Sequence, residues 1–402
     1  MNRVVITGIG VVSPVGCTIE EFWPALVEGR SAIGPFSVAR SERLSTRIAA
    51  QVSQFDPATL FEPKQLGFLD RFSQFAIVAA RSAVRDSGLD ISERLALETA
   101  TVIGSASGGQ TTVDDSYFKL YSENSPRLHP LTIPRLMTSA AASQISMDLG
   151  LKGPTFCVAT ACAAGTHAIG LAFHMIRSGQ APVAVTGGAE ACLTAGTIKA
   201  WESLRVLSQD TCRPFSRTRS GLVLGEGAAV LLLEERAHAL ARGARVYAEI
   251  LGFGMSADAH DITASDPNGP ARAMRAALND ARRNADEVDY VNAHGTGTMQ
   301  NDRSETAALH DVFGSHTRRI AVSSSKAVLG HGLGAAGAFE MAVTALAVHT
   351  RTIPPTANYE ESDPDCDLDV VPNVARQADV NVAMSNSFAF GGLNAVLLAS
   401  RA

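Results

Sequence analysis

Short apolar runs alternate along the chain with longer stretches in which apolar residues recur three and four positions apart. Glycines stand at the junctions. Short apolar runs are typical of buried strands, and the longer spacing is typical of amphipathic helices. The predicted strands are residues 3–6, 101–103, 156–159, 183–186, 228–233, 290–292, 320–323 and 382–385. The predicted helices are residues 72–87, 166–177, 270–283 and 335–349. This alternation predicts an α/β fold with largely parallel sheets.

One pattern occurs twice: a strand, a glycine-rich turn with a chemically capable residue, and an alanine-rich helix. It occupies residues 158–176 and again residues 323–348. The charged segment 234–242 lies between the two copies. We therefore predict two similar halves, residues 1–245 and 246–402.

Composition excludes several functional classes. Among 402 residues, 34 basic and 40 acidic side chains give a net charge of −6 without a basic block, so no nucleic-acid binding is expected. The longest apolar run, residues 228–233, is far shorter than the ~20 residues of a membrane span. Glycines and Pro14 interrupt the apolar N-terminus, which argues against a signal peptide. The six cysteines are scattered, which indicates a reduced, cytoplasmic protein.

Cys162 stands among small residues between a predicted strand and a predicted helix. A thiol at a helix N-terminus faces unpaired backbone N–H groups and the positive end of the helix dipole, which favour the thiolate. The same N–H groups could hold the oxyanion of a substrate carbonyl. A nucleophile and a buried, inert cysteine both remain open from this segment alone.

His294 follows a predicted strand in the loop His-Gly-Thr-Gly-Thr. A histidine there can face a cleft and exchange a proton or hydrogen-bond a thioester oxygen. The hydroxyls of Thr296 and Thr298 can bind a polar linker. A loop histidine that caps a helix is the alternative.

Lys326 and His331 share a glycine-rich turn that opens an apolar helix carrying Glu340. A cation beside a histidine lowers the pKa of the ring and keeps it neutral. A carboxylate on an apolar helix needs a buried partner, and Lys326 is the natural one for Glu340.

Phe390 precedes two glycines in the segment Asn-Ser-Phe-Ala-Phe-Gly-Gly-Leu-Asn. The glycines allow a sharp turn close to a ligand, and a backbone N–H there could complete an oxyanion hole. Phe390 could gate a pocket or simply fill an aromatic core turn. Gly8 and Gly10 imitate a dinucleotide fingerprint, but the last glycine of that motif is missing. No metal-ligand spacing is present, so no metal site is expected.

Taken in order, these four segments resemble the β-ketoacyl-acyl carrier protein synthases, above all the synthase II type and the related polyketide ketosynthases. The resemblance covers nearly the whole chain. It implies a thiolase-type fold in which two duplicated α/β halves form five layers, αβαβα, usually in a homodimer. The N-terminal half would carry the nucleophile, and the C-terminal half would carry two catalytic histidines and a lysine.

The resemblance implies a role for each matching residue. Cys162 matches the nucleophile that is acylated by an acyl-carrier-protein thioester. His294 and His331 match the pair that assists malonyl decarboxylation and stabilises the enolate. Lys326 matches the lysine that tunes this pair, with Glu340 as its supporting carboxylate.

Further matches concern binding. The backbone N–H groups of Cys162 and Phe390 match the oxyanion hole, and Phe390 matches the gate. Thr296 and Thr298 match the hydroxyls that contact phosphopantetheine. The implied partner is an acyl carrier protein, and no cofactor beyond its phosphopantetheine arm is expected.

Some positions depart from the family pattern. Ser107 stands where a bulky residue often closes the acyl pocket, which implies a deeper or more polar pocket. Ala389 replaces a glycine before the gate. The carrier-docking surface keeps Lys64 and Arg205, but two neighbouring positions that are often basic are uncharged. Ser220 stands where aspartate is common. These features favour a specialised synthase, either nodulation-protein-E-like or a polyene or type II polyketide ketosynthase.

Three other functions are weighed against this one. A chain-length-factor-like subunit would normally lack the nucleophile, although this chain could itself need such a partner. A degradative thiolase would need a second catalytic cysteine, and Cys366 lies in an acidic segment before the final Gly-Gly motif. An oxidoreductase would rest only on Gly8 and Gly10.

Overall fold

The computed structural model describes residues 1–263 and 266–402, and in these residues one mixed sheet of ten strands carries the fold. Its strands are Val4–Val12 (β1), Ala100–Gly104 (β2), Thr155–Val158 (β3), Val183–Glu190 (β4), Gly227–Glu235 (β5), Ala248–Ala257 (β6), Tyr290–Asn292 (β7), Ala321–Ser323 (β8), Val382–Ala389 (β9) and Leu393–Ser400 (β10).

The longer helices are Ile19–Val27 (α1), Arg71–Ser87 (α2), Gln110–Tyr121 (α3), Ala140–Leu149 (α4), Ala164–Arg177 (α5), Ala195–Leu204 (α6), Asn268–Ala281 (α7), Met299–Phe313 (α8) and Ala336–Thr350 (α9). Shorter helices are Pro63–Leu66, Glu93–Glu98, Thr132–Leu136, Arg236–Ala241 and Lys326–Leu329. Two small antiparallel pairs join Gly34–Pro35 to Ile48–Ala49 and Thr352–Ile353 to Arg376–Gln377.

The sheet consists of two runs of five strands with the same topology. The first run has the order β1-β5-β4-β2-β3 and the second has the order β6-β10-β9-β7-β8. In each run the first two pairings are antiparallel and the last two are parallel. Antiparallel pairing of β1 with β6 joins the runs. Each strand of the first run therefore has its counterpart five strands later in the chain.

The helices complete five layers. The central layer holds α5 and α9, each of which packs against strands of both runs and against the other. On the outer faces, α2 and α4 cover the first run, and α7 covers the second run with α8 packed beside it. This is the five-layer arrangement that the resemblance implies.

Helix α9 has apolar residues on all its sides, with Glu340 as its buried charge, which suits a helix that lies between the two runs of the sheet. Residues Leu333–Thr350 have the length and mean hydropathy, 1.3 over 18 residues, of a membrane span, yet 89% of them are buried inside the fold. This burial is the behaviour of a core helix.

Gly8 and Gly10 lie where strand β1 packs closely against helix α2. A Cβ on Gly10 would lie 1.9 Å from the Ala79 carbonyl oxygen of α2, and one on Gly8 would lie 2.1 Å from that of Ala83. In the second run, a Cβ on Gly254 would lie 2.2 Å from the Ala273 oxygen of α7. The apparent dinucleotide motif is therefore a packing motif, repeated in both halves.

The predicted strands and helices are present, with ends shifted by a few residues. The prediction of largely parallel sheets was wrong, because five of the nine pairings within the ten-stranded sheet of the described residues are antiparallel. Two strands were missed: β6, which is interrupted by glycines, and β10, which follows the Gly-Gly turn. The boundary at residue 245 stays a prediction.

Candidate active site

Cys162 lies in a short 3-10 turn, Ala161–Ala163, between the edge strand β3 and helix α5. The preceding Ala161 has a positive φ of 48°, a conformation that is strained for a residue with a Cβ. Behind the turn, a Cβ on Gly104 would lie 2.3 Å from the Ala164 backbone, so β2 presses directly on the start of α5. The turn thus fixes Cys162, which is only 6% exposed, at the inner end of two cavities.

The resting thiol of Cys162 is protonated, contrary to the expected thiolate. Burial raises its pKa to about 12, and the attraction of Lys326 offsets this only in part. Burial disfavours the charged form of an acid, and here this effect outweighs the favourable position before the helix. Reaction of this sulfur as a nucleophile would therefore require that it lose its proton.

His294 is held through its backbone by a buried carboxylate. Glu305, on α8, accepts the N–H groups of His294 (2.9 Å) and Gly295 (2.8 Å). Lys326 Nζ donates to the His294 carbonyl oxygen (2.5 Å) and approaches its Nδ1 (3.4 Å). Burial raises the pKa of Glu305 to about 7. The sequence does not reveal this role of Glu305, because an acidic residue on an amphipathic helix is normally exposed to solvent.

His331 is fixed by the backbone on both sides. Its N–H donates to Val223 O (2.7 Å), and its carbonyl oxygen accepts from Gly225 N (2.9 Å). The N–H of Leu333 donates to His331 Nδ1 (3.3 Å), so a neutral ring must carry its proton on Nε2. The rings of His294 and His331 are nearly perpendicular, with centroids 5.5 Å apart.

Both histidines are neutral at physiological pH. Burial lowers their pKa values well below the ordinary value, and the charge of Lys326 lowers them further. Because Lys326 approaches Nδ1 of His294, that ring also presents Nε2–H as its free donor. Two neutral N–H donors on facing rings can bind an oxygen that becomes negative during a reaction.

Lys326 and Glu340 form the buried ion pair that the sequence predicts. Each side chain is only 2% exposed. Ser387 Oγ donates to the second oxygen of Glu340 (3.3 Å). Burial raises the pKa of Glu340, and Lys326 counteracts this rise.

A smaller cavity of about 450 Å³ brings together the predicted chemical residues. It is lined by Cys162, His294, Thr296, Thr298, His331 and Phe390, together with Trp201, Arg205, Ser220 and the segment 261–263. Thr296 and Thr298 share a hydrogen bond (2.9 Å), and the hydroxyl of Thr298 also caps α8.

A larger cavity of about 830 Å³ reaches Cys162 from the other side, between α3, α6 and the segment 40–44. Trp201 and Phe390 line both cavities and stack on each other, with centroids 5.7 Å apart. These two rings form the partition beside Cys162.

Ser107 lines the larger cavity, but its hydroxyl is bound to Glu190 at the end of β4 (2.8 Å). The same carboxylate accepts the N–H groups of Ala106 (2.7 Å), Ser107 (3.3 Å) and Gly334 (3.1 Å). Burial raises the pKa of Glu190 to about 7. Sequence analysis missed Glu190 because its partners come from distant turns.

The two predicted docking residues differ in their position relative to the smaller cavity. Arg205 is exposed, ends α6 with a φ of 57° and lines the smaller cavity. Lys64 is exposed on the short helix Pro63–Leu66 and lines neither described cavity. Ser220 shares a hydrogen bond with Ser208 (2.8 Å), and Ser208 donates to Asp210 (2.9 Å). Ser220, which stands where aspartate is common, is thus connected through Ser208 to the nearby Asp210.

Comparisons with known proteins agree with this site. Residues 1–239 match the family described as beta-ketoacyl synthase, N-terminal domain, and residues 247–360 match its C-terminal domain. Nodulation protein E of Rhizobium sp. (strain N33) is 48% identical over 396 residues, covering 98% of both chains. The 3-oxoacyl-[acyl-carrier-protein] synthase 2 of Coxiella burnetii is 42% identical over 408 residues, covering 100% of this chain and 99% of its own.

A solved structure of similar shape is titled the ishigamide ketosynthase/chain length factor. It has a TM-score of 0.96 and 38% identity, and the match covers 100% of this chain and 99% of the other. Similarity of this extent, over nearly the whole chain, establishes both the fold and the class of reaction. The chain belongs to the β-ketoacyl synthase family, the condensing enzymes of the acyltransferase class.

Proposed function

We propose that this chain condenses malonyl-acyl carrier protein with an acyl chain held as a thioester on Cys162, losing carbon dioxide in a Claisen reaction. The observation that carries the proposal is the smaller cavity, where a buried thiol and two neutral histidines meet. Cys162 also opens onto a second cavity with room for an acyl chain.

In the first step, the sulfur of Cys162 attacks the thioester carbonyl of the acyl carrier. A new S–C bond forms, the bond to the carrier sulfur breaks, and the departing carrier thiolate takes up the thiol proton. Backbone N–H groups of Cys162 and Phe390 are positioned in this proposal to hold the oxyanion.

In the second step, the C–C bond to the malonyl carboxylate breaks and carbon dioxide leaves. The electron pair forms an enolate, whose oxygen accepts the Nε2–H groups of His294 and His331. The enolate carbon then attacks the acyl carbonyl, and the Cys162 sulfur leaves as a thiolate, which takes a proton from water. Lys326, held by Glu340, keeps the histidines neutral and therefore able to donate without losing charge.

The two cavities divide the substrate in this proposal. Thr296 and Thr298 contact the phosphopantetheine arm in the smaller cavity, and Ser107 and Phe390 line the acyl chain's path in the larger one. Substrates arrive on an acyl carrier protein that docks near Lys64 and Arg205, and no further cofactor takes part. The relative named nodulation protein E supports a specialised pathway over a housekeeping one, in fatty-acid, polyketide or polyene elongation.

A homologous partner chain is part of the proposal. In the described residues β3 is an edge strand whose Phe156 is exposed, and three more apolar side chains are exposed in the segment that connects β2 to β3: Tyr117, Tyr121 and Ile133. An open edge beside exposed apolar side chains fits pairing with a second chain. That chain is either a second copy or a chain-length-factor-like subunit, as in the ketosynthase/chain length factor structure. Six free cysteines support a cytoplasmic location.

The thiolase alternative has little support. Cys366 lies in the turn Pro364–Cys366 and lines neither described cavity, so it does not supply a second cysteine beside Cys162.

The test is acyl transfer from a panel of acyl-carrier-protein thioesters, short to long and saturated to unsaturated, read by intact mass spectrometry. We expect wild type to gain the acyl mass and Cys162→Ala to gain none. Addition of malonyl-acyl carrier protein should then release a β-ketoacyl product two carbons longer. Equal acylation of both proteins would contradict the assignment, and acylation only in the presence of a homologous subunit would establish the obligate heterodimer.

A further inference from the structure

Glu190 is a buried carboxylate that none of the proposed chemical steps uses. It ends β4 and has no exposed surface. Its two oxygens accept hydrogen bonds from two segments far apart in the sequence: residues 105–107, beside the larger cavity, and Gly334, in the turn after His331. Burying a charge is unfavourable unless several hydrogen bonds compensate it, so this arrangement ties both segments firmly to one group.

The two segments also touch each other directly. A Cβ on Gly334 would lie 2.3 Å from Ala106 N and 2.6 Å from Glu190 Oε2. A displacement of the cavity wall at Ala106 is therefore transmitted to the turn, because no space separates them.

Leu333 supplies a second connection. It lines the larger cavity, and its own N–H is the group that donates to His331 Nδ1. Its φ of 47° is unfavourable for a leucine, so the surrounding contacts must hold this turn in place. The hydrogen bond from the next residue, Gly334, to Glu190 is such a contact.

We propose that Glu190 is a positioning residue that links the wall of the acyl cavity to the turn carrying His331, so that the acyl chain on Cys162 affects how His331 is placed for condensation. The inference rests on the proposed function for the roles of Cys162 and His331. It predicts that loss of Glu190 weakens the second chemical step more than the first, because the first step does not need both histidine donors aligned.

Glu190→Gln is the main variant. It keeps the side-chain volume, but an amide has only one acceptor oxygen. Its NH₂ group therefore replaces the other oxygen and faces backbone N–H groups, which are also donors. Asp70→Asn is the matched control, since Asp70 is also a buried carboxylate bound to backbone N–H groups but caps α2 and contacts Thr112 instead of the His331 turn.

The kinetic test compares acylation of Cys162 with release of the β-ketoacyl product. We expect Glu190→Gln to acylate within about threefold of wild type and to condense ~10- to 100-fold more slowly, since a displacement of about 1 Å has effects of this size. Ser107→Ala removes one hydrogen bond to Glu190 and should slow condensation about twofold to tenfold. Asp70→Asn should leave the ratio of the two rates unchanged. Equal loss in both steps, or no loss, would overturn the proposal.

A second readout needs no turnover and separates this inference from the proposed function. Cys162 is alkylated with N-alkyl iodoacetamides of short or long chain, and the ¹⁵N resonances of the His331 ring are recorded in the full-length protein. In wild type the resonances should differ between short and long chains, and in Glu190→Gln they should not. If Glu190→Gln does not fold, Ser107→Ala decides, and an undiminished chain-length dependence there contradicts the link.

Discussion

The two halves of the molecule share one topology but contribute different chemistry. In the first, a strand leads into α5 through a turn that carries a thiol and no charged side chain. In the second, the corresponding strand leads into α9 through a turn that carries Lys326 and His331, with Glu340 one turn into the helix. Two equivalent turns therefore meet in front of α5 and α9, and one presents a thiol while the other presents a lysine and a histidine.

The difference extends to how each half is stabilised. The first turn depends on close packing of small residues, as at Gly104 and Ala161. The second encloses an ion pair that is almost without exposure to water. Packing tolerates little change in volume, whereas a buried pair tolerates little change in charge. Substitutions should therefore fail for different reasons in the two halves.

The largest effect is expected for His331→Ala. If chemistry is divided between the halves, this variant should still accept an acyl group on Cys162 while condensation falls ~10²- to 10³-fold, the usual effect of losing one donor to a developing oxyanion. Intact mass spectrometry and product release measure the two steps. Loss of acylation to the same extent would show that the halves do not act separately.

Removal of one charge from the buried pair should be the largest stability effect. Lys326→Met leaves the buried Glu340 without its cationic partner and should lower the free energy of unfolding by about 3–5 kcal/mol. The double variant Lys326→Met, Glu340→Leu should recover much of that loss. Chemical denaturation measures both. A double variant no more stable than the single one would mean that packing, and not charge, governs this half.

Glycine-to-alanine changes test whether close packing is equivalent in both halves. Gly10→Ala and Gly254→Ala each force a methyl group against a helix backbone, and each should lower the free energy of unfolding by about 1–3 kcal/mol. Gly34→Ala is the matched control, because a Cβ there meets nothing within 4 Å. Thermal unfolding compares the three variants. A Gly254→Ala variant as stable as wild type would show that the second half packs more loosely.

The last prediction concerns the pH dependence of stability. Glu190 and Glu305, one in each half, have pKa values raised by burial to about 7. The folded protein keeps protons that the unfolded chain releases near pH 4.5, so this contribution to stability is complete below that pH and is lost as the pH rises through 7. Glu305→Gln should reduce the decline of unfolding free energy between these pH values by up to ~1.4 kcal/mol per pH unit. An unchanged pH profile from denaturant titrations would contradict the raised pKa.

Sequence reasoning succeeded where the signal is local. The strand before Cys162, the loop after His294 and the charge on an apolar helix at Glu340 each lie within one segment, and the structure brings them together. It failed where the partner is distant. Nothing near Glu190 or Glu305 indicates that each binds backbone N–H groups of another turn.

The expectation of a thiolate at Cys162 was wrong for a related physical reason. The sequence shows its position before a helix, but the depth of burial depends on the whole fold, and burial decides the pKa. The roles assigned to Phe390, Thr296, Thr298, Ser107, Lys64 and Arg205 stay predictions. Their places on or off the cavity walls now define which experiments can test them.

The pairing of β1 has a consequence for how the chain is made. Val4–Val12 is synthesised long before its partners, which are Gly227–Glu235 and the start of Ala248–Ala257. At ~5–20 residues per second, this strand waits on the order of tens of seconds for them. During that time an apolar strand is without its neighbours, so the nascent chain should depend on chaperones until both partner strands have emerged.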